Sequence, residues 1–173
     1  SIDQFADAIT DVIISYGFKQ DALPTLILET GRALIDDAGY LLTTVLATKR
    51  LSDGRRATIL DTGINSLFTS FWYEHKINPA EPLGSQTEEM VLFGPLCMNI
   101  DVVRESIVMP LLEKGNQLVI QKVGAYNMTQ WMQFITTRPN IVLIDSENNS
   151  HVIREAETLD YVQQPERIPD HLK

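Results

Sequence analysis

The hydrophobic pattern of this chain changes period at Tyr40, and that change restricts the fold more than any other feature. Before it, Ile2, Phe5, Ala6, Ile9, Val12 and Ile13 recur at helical spacing. Ser1 and Gln4 form a capping box, and Gly17 supplies the stop. Pro24 precedes the apolar run Thr25-Leu26-Ile27-Leu28, which ends at Glu29 and predicts a buried parallel strand. Gly31 and Arg32 turn the chain into a short helix over 33–38, ended by Gly39. Helix, buried strand, glycine turn and helix are the parts of an α/β layer. From Tyr40 onward, segments 40–50, 56–61, 90–94, 116–123, 141–145 and 150–154 are β-rich. Turn signals such as Ser52-Asp53-Gly54, Lys114-Gly115-Asn116 and Glu147-Asn148-Asn149 separate them. Short strands at this spacing predict a sandwich or barrel. The prolines, glycine and acidic residues of 78–89 predict a loop, and 163–173 a polar tail. The expected fold is mainly β with an α/β start, divided between residues 1–39 and 40–173.

Charge and cysteine content exclude several functions. With 23 acidic against 14 basic residues and a net charge of -9, the chain lacks the clustered cations that neutralise a nucleic-acid backbone. No apolar run approaches the roughly 20 residues that span a bilayer, and the start SIDQFADAITDV is not a signal peptide. A single cysteine forms no internal disulfide, which suits a reducing compartment, and it cannot build a cysteine zinc cage. His75, His151 and His171 lack metal-ligand spacing. A cytoplasmic protein with neither nucleic acid nor membrane as partner is expected.

Five short stretches combine reactive residue types with turns, and each also has an ordinary explanation. In Glu29-Thr30-Gly31-Arg32, glycine lets backbone approach a ligand and arginine can donate charge-assisted bonds to a phosphate. A tight turn with a surface Glu–Arg pair explains the same residues. Asp61-Thr62-Gly63-Ile64-Asn65 leads into Phe71-Trp72-Tyr73-Glu74-His75, where aromatic clustering fits a core equally well. Gly94-Pro95-Leu96-Cys97-Met98-Asn99-Ile100-Asp101 holds the only thiol, either a proton donor or a small buried hydrophobe. Val123-Gly124-Ala125-Tyr126-Asn127 exposes a phenol after small residues. Arg154-Glu155-Ala156-Glu157-Thr158 also reads as a charged helix start.

In their order and spacing these motifs resemble the C-terminal portion of the fold-type III pyridoxal-phosphate decarboxylases, the family of the diaminopimelate, ornithine and arginine decarboxylases. The resemblance runs through Glu29-Thr30-Gly31-Arg32 with Ala38-Gly39, Asp61 to Asn65, Tyr73, Gly94 to Asp101, Gly124-Ala125-Tyr126 and the final Glu157-Thr158. It implies that residues 1–39 end a (β/α)8 barrel and residues 40–173 form the C-terminal β-domain. The portion bearing the cofactor-anchoring lysine is absent, so this chain alone is catalytically incomplete. Pyridoxal 5'-phosphate is the implied cofactor. By the resemblance, Glu29 pairs with its ring nitrogen, and Gly31, Arg32 and Tyr126 hold its phosphate. Cys97 returns a proton to the α-carbon in a neighbouring subunit's site, which implies a homodimer with shared active sites, and Tyr73 lies in the substrate pocket.

Departures from the family pattern bear on specificity. Thr30 replaces proline, while Met98 and Asn99 replace an acidic residue and a serine after the cysteine. Thr69 falls where diaminopimelate enzymes carry an arginine. With Met98 and Thr69 in the substrate pocket, both anchors for the far end of diaminopimelate are lost. The expected substrate is therefore an amino acid, or a conjugate of one, other than diaminopimelate. Two further readings stay open: a racemase-like enzyme on the same plan, separated by release of CO2, and a non-catalytic homologue that binds and regulates a decarboxylase.

Overall fold

The computed structural model describes residues 2–172, so Ser1 of the expected capping box lies outside the described residues. The chain divides into two compact units, 1–30 and 31–173.

In the first unit, α1 spans Ile2–Ser15 and ends at Gly17, whose φ of 67° is the left-handed stop that its sequence position predicts. No residue of α1 is buried. Its apolar stripe, with Phe5, Ile9, Val12 and Ile13, faces Pro24, Thr25 and Leu26 across an open groove of about 400 Å³. The strand expected over 25–28 does not form, and residues 23–30 have no regular structure. A parallel strand exists only as part of a ladder, and no described residue of this unit offers one.

The second unit opens with α2 (Gly31–Ile35) and a 3-10 turn over Asp36–Ala38. Eight strands follow: β1 Tyr40–Arg50, β2 Arg56–Leu60, β3 Ile77–Pro79, β4 Thr87–Phe93, β5 Val102–Pro110, β6 Gln117–Gln121, β7 Ile141–Ile144 and β8 Ser150–Arg154. The first six build one sheet in the order β3-β6-β1-β2-β4-β5, and β7 and β8 form a separate hairpin. All neighbours are antiparallel except β2 and β4, whose parallel pairing requires the long crossover through residues 61–86.

Alternation along each strand sends one face inward. Val45, Leu60, Ile77, Met90, Leu92, Val103, Met109, Leu118 and Ile120 thereby meet in a single core to which all six strands contribute. A sheet whose every strand faces one core must curl, giving a barrel-like β-domain. Arg104 on edge strand β5 donates to the carbonyl of His75, just ahead of the opposite edge strand β3, and so ties the two edges.

Two strands escaped the sequence reading. β5 is an edge strand whose outward Glu105 and Ser106 interrupt its apolar pattern. β3 is three residues long and ends in proline, which an edge tolerates. The loop expected over 78–89 is correspondingly shorter, because β3 and β4 claim both of its ends. Helix α3 (Leu159–Gln163) starts where the Thr158 hydroxyl accepts from the Tyr161 N–H at 3.2 Å, the ordinary explanation of the last motif. Among the described residues no helix is long and apolar enough to cross a membrane.

Candidate functional site

Close backbone packing places the first cluster of site residues. A Cβ on Gly39 would stand 2.2 Å from the Gly124 nitrogen, and one on Gly124 would stand 2.0 Å from the Ile35 carbonyl oxygen. Two bare glycines therefore let the end of the 31–39 segment lie directly on the chain that leaves β6. The Val123 and Gly124 N–H groups donate to the carbonyls of Gly39 and Asp36, at 3.1 and 3.2 Å.

Across this contact the structure brings together Arg32, Tyr73 and Tyr126, with Asp36 at the centre. Asp36 is buried; Oδ2 accepts from Arg32 Nε at 3.1 Å and Oδ1 from the Ala125 N–H at 3.4 Å, and the Tyr73 hydroxyl lies 3.5 Å from both oxygens. The Arg32 guanidinium stacks 3.9 Å over the Tyr73 ring. The bond to Asp36 holds the Arg32 pKa above its ordinary value, with smaller support from Tyr73 and Tyr126. Only Nε is committed. Among the described residues neither Nη nitrogen of Arg32 nor the Tyr126 hydroxyl has a hydrogen-bond partner. Two open guanidinium nitrogens, with an open phenol within electrostatic reach, offer the donors that hold a phosphate. Nothing lies within 4 Å of where a Gly31 Cβ would stand.

Tyr126 has a φ of 69°, and the Asn127 N–H closes a three-residue turn onto the Ala125 carbonyl at 2.9 Å. That hand of γ-turn is rare and strained for a residue with a Cβ. Its ring meets Trp72 edge-on at 5.2 Å.

A second cluster surrounds Cys97. Asp101, 2% exposed, receives the Ile64 N–H on Oδ1 at 2.8 Å and the Leu96 N–H on Oδ2 at 2.7 Å. Gly63 and Gly94 leave room for this carboxylate, since a Cβ on either would stand within 2.3 Å of it. One buried side chain thus welds the 61–65 turn to the 94–101 loop and leaves Cys97 exposed with Met98 half-buried beside it. Among the described residues no hydrogen bond, ion pair or ring contact joins Cys97 to the Arg32 cluster. Glu29 is exposed and belongs to the first unit.

Thr69 sits elsewhere than expected. It is fully buried, and its hydroxyl lies 2.7 Å from His75 Nε2 and 2.9 Å from Asn127 Oδ1. A sealed, internally bonded threonine faces no substrate. Asp36, His75 and Asn127 were not singled out as functional. Nothing in an Asp-Asp pair of a short helix or a lone histidine foretells partners drawn from residues far along the chain.

The chain belongs to the pyridoxal-dependent decarboxylases: residues 16–124 match the model of their C-terminal sheet domain. It is 33% identical over 179 residues to the diaminopimelate decarboxylase of Methanothermobacter thermautotrophicus, a match covering 99% of this chain and 40% of that protein. Against the Helicobacter pylori diaminopimelate decarboxylase it is 32% identical over 140 residues, covering 79% of this chain and 34% of the relative. The crystal structure of the M. jannaschii diaminopimelate decarboxylase superposes with a TM-score of 0.85 at 30% identity, over 97% of this chain and 38% of that one. The chain thus spans about two fifths of the length of these relatives. Their shared name removes the support for excluding diaminopimelate, and the burial of Thr69 removes half of its physical basis.

Proposed function

We propose that this chain is the C-terminal part of a pyridoxal-phosphate-dependent enzyme that removes the α-carboxylate of an amino acid. The observation that carries the reading is the Arg32 guanidinium, stacked on Tyr73 with both Nη nitrogens open and within electrostatic reach of the Tyr126 phenol. In this reading the Arg32 Nη groups and the Tyr126 hydroxyl bind the cofactor phosphate, with Gly31 leaving room beside them. Glu29 holds a proton at the ring nitrogen. Tyr73 and Met98 line the substrate side, and Cys97 delivers a proton to the α-carbon of a neighbouring subunit's substrate. The bound cofactor supplies the sink for the electrons left when CO2 departs. An exposed thiol on a rigidly held loop supports an intersubunit role, and hence a homodimer with shared sites. The exposed stripe of α1 supports completion of the enzyme by a barrel portion that carries the anchoring lysine. An exposed free cysteine suits a cytoplasmic setting.

The test is to incubate the full-length protein with pyridoxal phosphate and a panel of amino acids, diaminopimelate first because its relatives bear that name, and to measure CO2. Release from one member is expected. Racemisation without CO2, or no cofactor binding at all, would refute the proposal. Cys97→Ala should keep cofactor binding and lose turnover; unchanged product formation would remove Cys97 from the mechanism.

A further inference from the structure

We propose that Thr69, acting through Asn127 and braced by His75, is the positioning residue that holds Tyr126 in its strained turn, and that phosphate affinity depends on this buried link. The inference rests on the reading of Tyr126 as a phosphate ligand.

Tyr126 occupies a left-handed backbone state that a residue with a Cβ adopts only when its surroundings enforce it. The neighbour that closes the turn, Asn127, is 3% exposed, and its side chain is held on both sides. Its Nδ2 donates to the Val123 carbonyl at 3.2 Å, which fixes the orientation of the amide. Its Oδ1 accepts from both the Thr69 N–H at 3.1 Å and the Thr69 hydroxyl at 2.9 Å. Thr69 therefore holds Asn127 through its N–H and through a hydroxyl proton shared with His75, and Asn127 carries the peptide that sets the direction of Tyr126.

His75 completes the link. It is 3% exposed, and its Nδ1 lies 3.0 Å from the Gln121 carbonyl oxygen. A carbonyl only accepts, so Nδ1 carries the proton, and in neutral His75 the Nε2 lone pair competes with Asn127 for the single Thr69 hydroxyl proton. The hydroxyl is thus held between two acceptors within a buried triad that joins the segment carrying Tyr73 to the segment carrying Tyr126. An apolar side chain of the same shape would leave both acceptors without that donor.

The test compares binding of pyridoxal phosphate and of pyridoxal, which lacks the phosphate, to the full-length protein freed of cofactor. Tyr126→Phe serves as the control. Wild type should prefer the phosphorylated form. Thr69→Val should weaken pyridoxal phosphate binding about ten-fold, the effect of one lost hydrogen bond, with pyridoxal binding unchanged. Thr69→Ser should restore the preference. Equal weakening of both ligands in Thr69→Val and in Thr69→Ala would overturn the proposal, since the link would then serve the fold and not the phosphate. If Thr69→Val does not fold, Thr69→Ala, which keeps the N–H and removes the hydroxyl, is read in the same way. Lost preference in Tyr126→Phe with full preference in Thr69→Val or Thr69→Ala would overturn this proposal alone. Full preference in Tyr126→Phe would overturn the reading of Tyr126 and the proposal with it.

Discussion

Replacing Asp101 by asparagine isolates the bond that joins the two turns beneath Cys97. Each carboxylate oxygen receives one backbone N–H, from Ile64 and from Leu96, at 2.8 and 2.7 Å. Asparagine preserves the shape but turns one oxygen into an NH2 group, so one of those N–H donors faces another donor in a site that is 2% exposed. Leaving a buried donor unsatisfied costs about 1–3 kcal/mol. Because bonds to a carboxylate are of the stronger kind, the upper end applies, about 3 kcal/mol. Alanine orphans both donors and should cost more. The measurement is the urea unfolding midpoint of the full-length protein with its slope, together with the alkylation rate of Cys97 followed peptide by peptide. Stability should fall and Cys97 modification should accelerate, since the loop loses its inner anchor. An Asp101→Asn protein with wild-type midpoint and wild-type Cys97 reactivity would refute the argument that this carboxylate builds the loop.

Gly124→Ala must push a methyl group into the Ile35 carbonyl at 2.0 Å, a backbone clash that no rotamer relieves. Overpacking of this kind costs about 1–3 kcal/mol, and a thermal melt with pyridoxal phosphate titration should show loss of both stability and affinity. Burial holds the His75 pKa below its ordinary value of 6.5, with Arg104 and Arg32 reinforcing the effect and the Gln121 carbonyl and Asp36 opposing it. The unfolded chain therefore takes up the proton first as pH falls. Stability should be complete above about 6.5 and decline below it until the folded histidine titrates. Melting temperature against pH should show this slope in wild type and a flatter line in His75→Gln. In the β7–β8 turn, the His151 ring and the Asn149 N–H hold the Asp145 pKa down to about 2. Amide protection at Glu147 and Asn149 should thus persist above pH 4 and be lost as the carboxylate protonates toward pH 2.

Much of the fold is legible in local pattern. β1, β2, β6, β7 and β8 fall where alternation and turn residues put them, because both signals depend on near neighbours in the chain. β5 is legible only from outside itself, since an edge strand shows its polar side to water and loses its apolar rhythm. The run 25–28 has the composition of a strand, yet hydrogen-bonding partners decide whether it becomes one.

The candidate site divides along the same line. The resemblance carried by the order of the motifs points to Arg32, Tyr73, Cys97 and Tyr126, whose types and spacing are written in the chain. Their supports were decided in three dimensions. Asp36 collects Arg32, Tyr73 and Ala125 from three separate segments, and Asp101 bridges Ile64 and Leu96. The family resemblance sets Thr69 at a substrate contact, but the fold seals it against His75 and Asn127. Residue type sets what a side chain can donate or accept. Only the packed sheet, which brings distant segments within about 3 Å of each other, decides which partner it meets.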